Sequence, residues 1–181
     1  MRGSKCTKLR ILLLLTVLWM GLIFWFSSRT STESSTFSKG LLNAVLQIVM
    51  PHWEQRSAAE KKEIIRSLHT VFRKLGHFSE FSVLGLLLTL TVRQFPNRYP
   101  NRRQKHPAIR AYALPALLAL LYACTDEFHQ RFVAGRSCEL RDVCIDTAGA
   151  CCGILFCMLL LQLWRKLRAI RKKKAVSPTD S

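Results

Sequence analysis

Acidic residues are scarce in this chain: 11 Asp and Glu stand against 28 Lys and Arg, a formal net charge of +17 over 181 residues. Such an excess points to an anionic partner, and nucleic acid and anionic lipid are the two candidates. No basic run is interleaved with aromatics, so nothing supports nucleic acid and none is expected as a partner. There is no H-E-x-x-H, no G-x-S-x-G and no phosphate-binding loop, which removes the best-marked catalytic frames. The seven cysteines include no C-x-x-C pair, and an odd, scattered set implies no disulfide framework. No internal repeat is visible.

What the chain does have is apolar runs. ILLLLTVLWMGLIFWFSS (11–28) and TAGACCGILFCMLLLQLW (147–164) carry no charge, whereas FSVLGLLLTLTV (81–92) and AYALPALLALLYACT (111–125) are shorter. A crossing needs about 20 residues at about 1.5 Å rise, so the two short runs must draw ionisable residues into one membrane boundary. The expectation is an all-α fold, a four-transmembrane-helix bundle with spans near 9–28, 74–94, 109–130 and 142–164. The membrane domain occupies 11–165, between a cytoplasmic N-terminus at 1–10 and a basic, disordered cytoplasmic tail at 166–181. The first run has the basic start of a signal peptide, but its apolar region is too long and no A-x-A follows, so it reads as an uncleaved anchor.

The basic residues set the orientation. Arg2, Lys5, Lys8 and Arg10 precede the first run, Arg98, Arg102, Arg103 and Lys105 lie between the second and third, and a basic tail follows the fourth. Of the acids, only Asp180 falls on that side. The positive-inside rule therefore places both termini and the 93–110 loop in the cytoplasm, against an anionic bilayer surface. On the opposite side STESSTFSKG (31–40) reads as a Ser/Thr-rich turn, and LLNAVLQIVMPHW as a short surface helix stopped by Pro51. One or two such short extracytoplasmic helices are expected between the first two spans. Ser57 and Glu60 have capping-box spacing and open a helix that enters the second span, directly or through a bend near Gly76. Trp19, Trp25 and Trp164 read as interfacial anchors, and Cys138 and Cys144 lie where a disulfide is permitted.

Polar residues gather at the outer ends of the spans. Lys74, His77 and Glu80 are three apart and share a broad helical face. Asp126, Glu127, His129 and Gln130 end the third span, and Arg136 and Arg141 follow in the connection. Asp142, Asp146, Gly149 and Gly153 form one stripe at the start of the fourth. Gly149-x-x-x-Gly153 is a close-packing signature that also permits a homodimer. Ionisable groups at a membrane boundary face protein or water, so these ends define a polar pocket opening outward.

RKLGHFSEFSVLG followed by TDEFHQRFVAGRSCELRDVCIDTAG closely resembles the VanZ-like family of bacterial membrane proteins. That family has a Lys-x-x-His-x-x-x-Tyr/Phe helix, then Asp-Glu-x-x-Gln-x-Phe-x-x-x-Arg, then an Asp before a Gly-rich helix. The match falls on Lys74, His77, Phe81, Asp126, Glu127, Gln130, Phe132, Arg136, Asp142 and Gly149. Asp146 stands where the family often has Asn, and Phe81 where Tyr is common. IFWFSSRTSTESSTFS resembles the Ser-rich segment after the family's first span, and the likeness covers roughly 11–165. It implies a four-span protein of the bacterial cytoplasmic membrane, in a family named for a teicoplanin-resistance member. It implies no agreed catalytic activity.

Three readings of the polar cluster stand at this point. The acids can pair with Lys74, Arg136 and Arg141 as a structural network. Lys74, His77 and Arg136 can bind the phosphate of a lipid or cell-wall-precursor headgroup. His77, Glu80, Asp126, Glu127, His129 and Asp142 are residue types that serve a metal-assisted envelope enzyme. The sequence itself assigns no catalytic residue, no metal site and no cofactor.

Overall fold

The structure, a computed structural model, describes residues 2–95 and 107–176, and among them every regular element is helical. The order is α1 (Arg2–Ser27), α2 (Ser31–Val49), a single 3-10 turn (Trp53–Gln55), α3 (Ala58–Gln94), α4 (Pro107–Gln130) and α5 (Leu140–Val176). Among the described residues three helices are long and apolar enough to cross a membrane, over Cys6–Ser27 in α1, Ala58–Gln94 in α3 and Leu140–Arg171 in α5. α4, expected as the third span, is not among them; it holds Pro115 inside and ends on Asp126, Glu127 and Gln130.

α3 and α5 form the most extensive helix pair. Their backbones approach through glycine. A Cβ on Gly153 would collide with the backbone carbonyl of Ser82, one on Gly149 with that of Phe78, and one on Gly85 with that of Ala150. Ser82 Oγ uses the proximity to donate to the Gly149 carbonyl at 2.8 Å. Small residues let helices meet at backbone distance, where dispersion and hydrogen bonds act most strongly. Beside this seam Ile23, Phe81, Leu84, Leu88, Ala119, Ala123, Val143 and Ala150 close the core. Trp19, expected as an interfacial anchor, instead donates Nε1 to the Glu80 carbonyl at 2.9 Å, and Tyr122 donates to the Met20 carbonyl at 2.6 Å. These two bonds lock α1 to α3 and α4 because a buried N–H or O–H needs an acceptor. The other sides of α1 and α5 stay apolar and exposed, with Leu14, Val17 and Leu18 on one and Leu155, Phe156 and Leu159 on the other. An apolar surface of that extent suits lipid rather than water.

Two sequence expectations change, at α2 and at the end of α5, and one left open at Gly76 takes its direct form. The segment 31–40 is helical, not a turn, so α2 runs for 19 residues instead of forming a short helix. Thr30 and Glu33 build a capping box at its start, and Thr36 and Ser38 turn their hydroxyls back to the carbonyls of Thr32 and Ser34 at 2.9 and 2.8 Å. The Thr30 side chain and N–H hold Glu33 below the usual carboxylate range. The α3 helix passes through Gly76 without interruption from its Ser57–Glu60 capping box. α5 continues past the boundary expected at 165, so Arg165, Lys166, Arg168 and Arg171 are helical, with the Arg168 guanidinium 3.5 Å over the Trp164 ring. The expected loop residues 96–106 and tail residues 177–181 lie outside the described residues. Cys138 and Cys144 are both free and exposed.

Gly153→Ala is expected to lower the thermal midpoint of the detergent-solubilised protein. The added methyl meets backbone that cannot yield, a cost of about 1–3 kcal/mol that exceeds alanine's gain in helix propensity of about 1 kcal/mol. Gly21→Ala, where nothing lies within 4 Å, is the matched control and should not destabilise.

Candidate functional site

The polar residues singled out from the sequence lie within electrostatic reach of one another where the helix ends meet. Their contacts divide into a bonded network, a salt-bridged edge, a buried acid without a hydrogen bond and the lining of a cavity.

The network starts from the turn after α4. Phe132, Val133 and Arg136 donate their N–H groups to the carbonyls of His129, Gln130 and Val133, coiling the chain back on itself. Gly135 takes φ 75°, the left-handed region that glycine enters without a Cβ penalty, and a Cβ there would press on Ser31. Ser31 N–H donates to the Ala134 carbonyl at 3.2 Å and docks the turn on α2. Arg136 is thereby aimed at the C-terminal end of α1. Its Nε donates to the Arg29 carbonyl at 3.0 Å, Nη2 to the Phe26 carbonyl at 3.3 Å and Nη1 to Gln130 Oε1 at 2.9 Å. A guanidinium is well matched to the unsatisfied carbonyls and negative end of a helix. Gln130 Nε2 passes on to Asp126 Oδ2 at 3.0 Å and to Ser27 Oγ at 3.3 Å, while Ser27 Oγ donates to Asp126 Oδ2 at 2.7 Å. Burial, then the like charge of Arg73, draws the Arg136 pKa below its usual value, with Asp126, Glu127 and Glu80 acting the other way. The group remains a cation at any physiological pH.

The salt-bridged edge joins α3 to the start of α5. Lys74 Nζ pairs with Asp142 Oδ1, both partly exposed. Glu127 is 2 % exposed and accepts the Glu139 N–H at 3.1 Å, satisfying a donor at the N-terminus of α5. Arg141, expected to serve the same acids, pairs instead with Glu139 at 2.9 Å on the surface. His129 bonds Ser28 Oγ at 3.1 Å and stacks 4.4 Å from the Phe24 ring. Asp146 lies within electrostatic reach of Asp126, Glu127, Asp142 and Glu80, yet it is 1 % exposed and neither carboxylate oxygen has a hydrogen-bond partner. Among the described residues no three His, Cys, Asp or Glu side chains converge as a metal-binding group.

A cavity of about 570 Å³ opens between the end of α1, α2 and the middle of α3. Trp25, Phe26, Phe37, Leu41 and Phe72 make its apolar wall; Arg29, Arg73, His77, Glu80 and Arg136 supply its charged and titratable groups. Three guanidinium groups thus share the lining with one carboxylate. Arg29 lies 4.3 Å over the Trp25 ring, where the ring face attracts its charge. Arg73 makes no hydrogen bond or ion pair within the described residues.

Of the sequence candidates, His77, Glu80 and Arg136 line the cavity; Lys74, Asp126, Glu127, Gln130, Asp142 and Asp146 do not. Gly149 and Gly153 sit in the α3–α5 seam. Trp25, read as an interfacial anchor, lines the cavity instead. Arg29, Arg73 and Ser27 were not foreseen. The spacing held a signal for Arg73, because 73, 77 and 80 follow four and three apart and lie on one stripe, while Lys74 is a further 100° round and faces α5.

Fold and site define a class, an all-helical membrane-type protein with an amphipathic, positively lined cavity at the end of its first helix. Residues 12–162 match the VanZ/LLP1 family, and the chain belongs to that family, as the motifs around Lys74 and Asp126 implied. No curated protein and no solved structure matches it.

Gln130→Leu is expected to destabilise the protein by about 1–3 kcal/mol, since it leaves Arg136 Nη1 without its acceptor and Asp126 Oδ2 without one of its donors. Thermal unfolding in detergent reads this, and Arg131→Leu on the exposed next position is the comparison.

Proposed function

We propose that this protein is a multi-pass component of the bacterial cell envelope that binds the anionic headgroup of a lipid or cell-wall precursor in the cavity. The observation that carries the reading is the lining itself, three guanidinium groups beside an aromatic and aliphatic wall. Guanidinium forks match phosphate oxygens in geometry and charge. The aromatic wall supplies the apolar contact that a headgroup with an attached chain requires. In this reading α4 is the fourth crossing, both termini are cytoplasmic, α2 lies along the outer face, and the cavity opens outward. A protein that engages a precursor headgroup there would alter its access to glycopeptides such as teicoplanin, the phenotype for which the family is named.

The structural reading is favoured for one part only. Asp126, Ser27, Gln130 and Arg136 bond chiefly to one another and to backbone, so they fix how α1 meets α4. A metal-assisted enzyme lacks a convergent ligand set among the described residues.

Arg73→Gln should weaken binding of a phosphate-bearing lipid to the purified protein roughly ten- to a hundredfold, the worth of one charged hydrogen bond of about 1.5–3 kcal/mol. Arg73 makes no internal bond, so unfolding should not shift. Unchanged affinity would remove the cavity as the site.

Two native cysteines test the topology. Cys138 and Cys6 are both exposed. In intact cells a membrane-impermeant maleimide should label Cys138 and spare Cys6; the reverse pattern would invert the orientation.

A further inference from the structure

The cavity holds more than an anion site needs. Its lining places one histidine and one carboxylate, His77 and Glu80, beside the three arginines. We propose that the cavity is also a reaction site, in which His77 is the nucleophile toward a lipid-borne phosphate monoester. This rests on the headgroup-binding reading and adds a chemical step to it.

The orientation of the imidazole is the first support. His77 Nδ1 is buried and has no hydrogen-bond partner, while the side chain as a whole is 22 % exposed and lines the cavity. The accessible edge of the ring is therefore the one that carries Nε2. Behind it, Nδ1 lies 4.0 Å from Glu80 Oε2. A carboxylate at that distance does not bond Nδ1, but its charge favours the ring proton on that side and leaves the Nε2 lone pair directed outward. The one residue turn between them, at i and i+3 on a continuous α3, keeps the pair in register.

The arginines are the second support. In phosphoryl transfer little covalent work falls to the protein; charge spreads over three equatorial oxygens and must be met by preorganised cations. Arg29, Arg73 and Arg136 provide them. Arg136 is fixed by the carbonyls of α1, so it costs little to reorganise, and Arg73 is uncommitted. A terminal phosphoryl group exposes three such oxygens, which selects a monoester. The apolar wall takes the chain of the alcohol and makes that alcohol a lipid.

The step balances with water as the co-reactant. The Nε2 lone pair forms an N–P bond as the ester P–O bond breaks, and the Nδ1 proton stays on the ring, whose positive charge Glu80 offsets from 4.0 Å. The departing oxygen takes a proton from water and leaves as the lipid alcohol. The hydroxide so formed attacks phosphorus, the N–P bond breaks, its electron pair returns to Nε2, and inorganic phosphate is released. Glu80 acts as a positioning residue through His77.

The test uses the full chain in detergent micelles with a radiolabelled single-chain lipid phosphate, lysophosphatidic acid, quenched in base. The expected result is base-stable, acid-labile label on His77 together with released inorganic phosphate. His77→Asn should abolish both. Glu80→Gln should slow label formation about a hundredfold, within the range of a lost proton-transfer partner. The wild-type trap needs no variant, so a poorly folded mutant does not blunt it. Binding without label or phosphate release overturns this proposal and leaves the binding reading standing. Phosphate release that survives His77→Asn, or that occurs without phosphohistidine, also overturns it. Absence of binding overturns both.

Discussion

The backbone contact between α3 and α5 is the constraint on which the rest depends. Gly85, Gly149 and Gly153 leave no room for a side chain between the two helices. Once they are pressed together, the rotation of α3 is fixed. One face of α3 then looks at α5 and carries Lys74, Phe78 and Ser82. The opposite face carries Arg73, His77 and Glu80 toward α1 and α2. A helix cannot present all of these to one partner, and the rotation decides which residues are structural and which are accessible.

Charge at this end of the molecule is sorted by how well it is bonded. Asp126 and Arg136 are joined through Gln130, with Ser27 as a further donor to Asp126 Oδ2, while Asp126 Oδ1 stays buried without a partner. Lys74 and Asp142 meet near the surface, where an ion pair contributes little to stability and serves to align helix ends. Arg73 falls in neither arrangement. A cation left unpaired beside an aromatic wall is a poor contribution to a fold and a good one to an anion site.

Much of the architecture was legible because it rests on composition and period. The uncharged runs at 11–28 and 147–164 fall in α1 and α5, and the Ser57–Glu60 pair caps α3 as its spacing implies. The motif stretches identified the family, and they hold the residues at which α3, α4 and α5 converge. What escaped was three-dimensional. Residues sharing a membrane depth need not share a pocket: Lys74 turns to Asp142 on α5, while His77, three residues on, lines the cavity. The helicity of 31–40 was hidden by serine and threonine, whose hydroxyls usually compete with the backbone but here bond to carbonyls one turn back. Arg29 escaped notice because nothing in a linear sequence shows that α2 folds back over it, and Arg73 because its shared stripe with His77 and Glu80 gains meaning only once the cavity is formed.

Arg136 occupies two roles with one side chain. It caps α1 through the carbonyls of Phe26 and Arg29, and it also lines the cavity. On the proposed headgroup reading, recognition and assembly therefore rest on the same side chain. A substitution there disturbs both at once, and ligand preference is better altered through the other walls of the cavity. Arg73, whose side chain has no hydrogen bond or ion pair among the described residues, and Phe37 and Leu41, on a helix that packs mainly on the first half of α3, are the lining positions that can change without loosening the bundle.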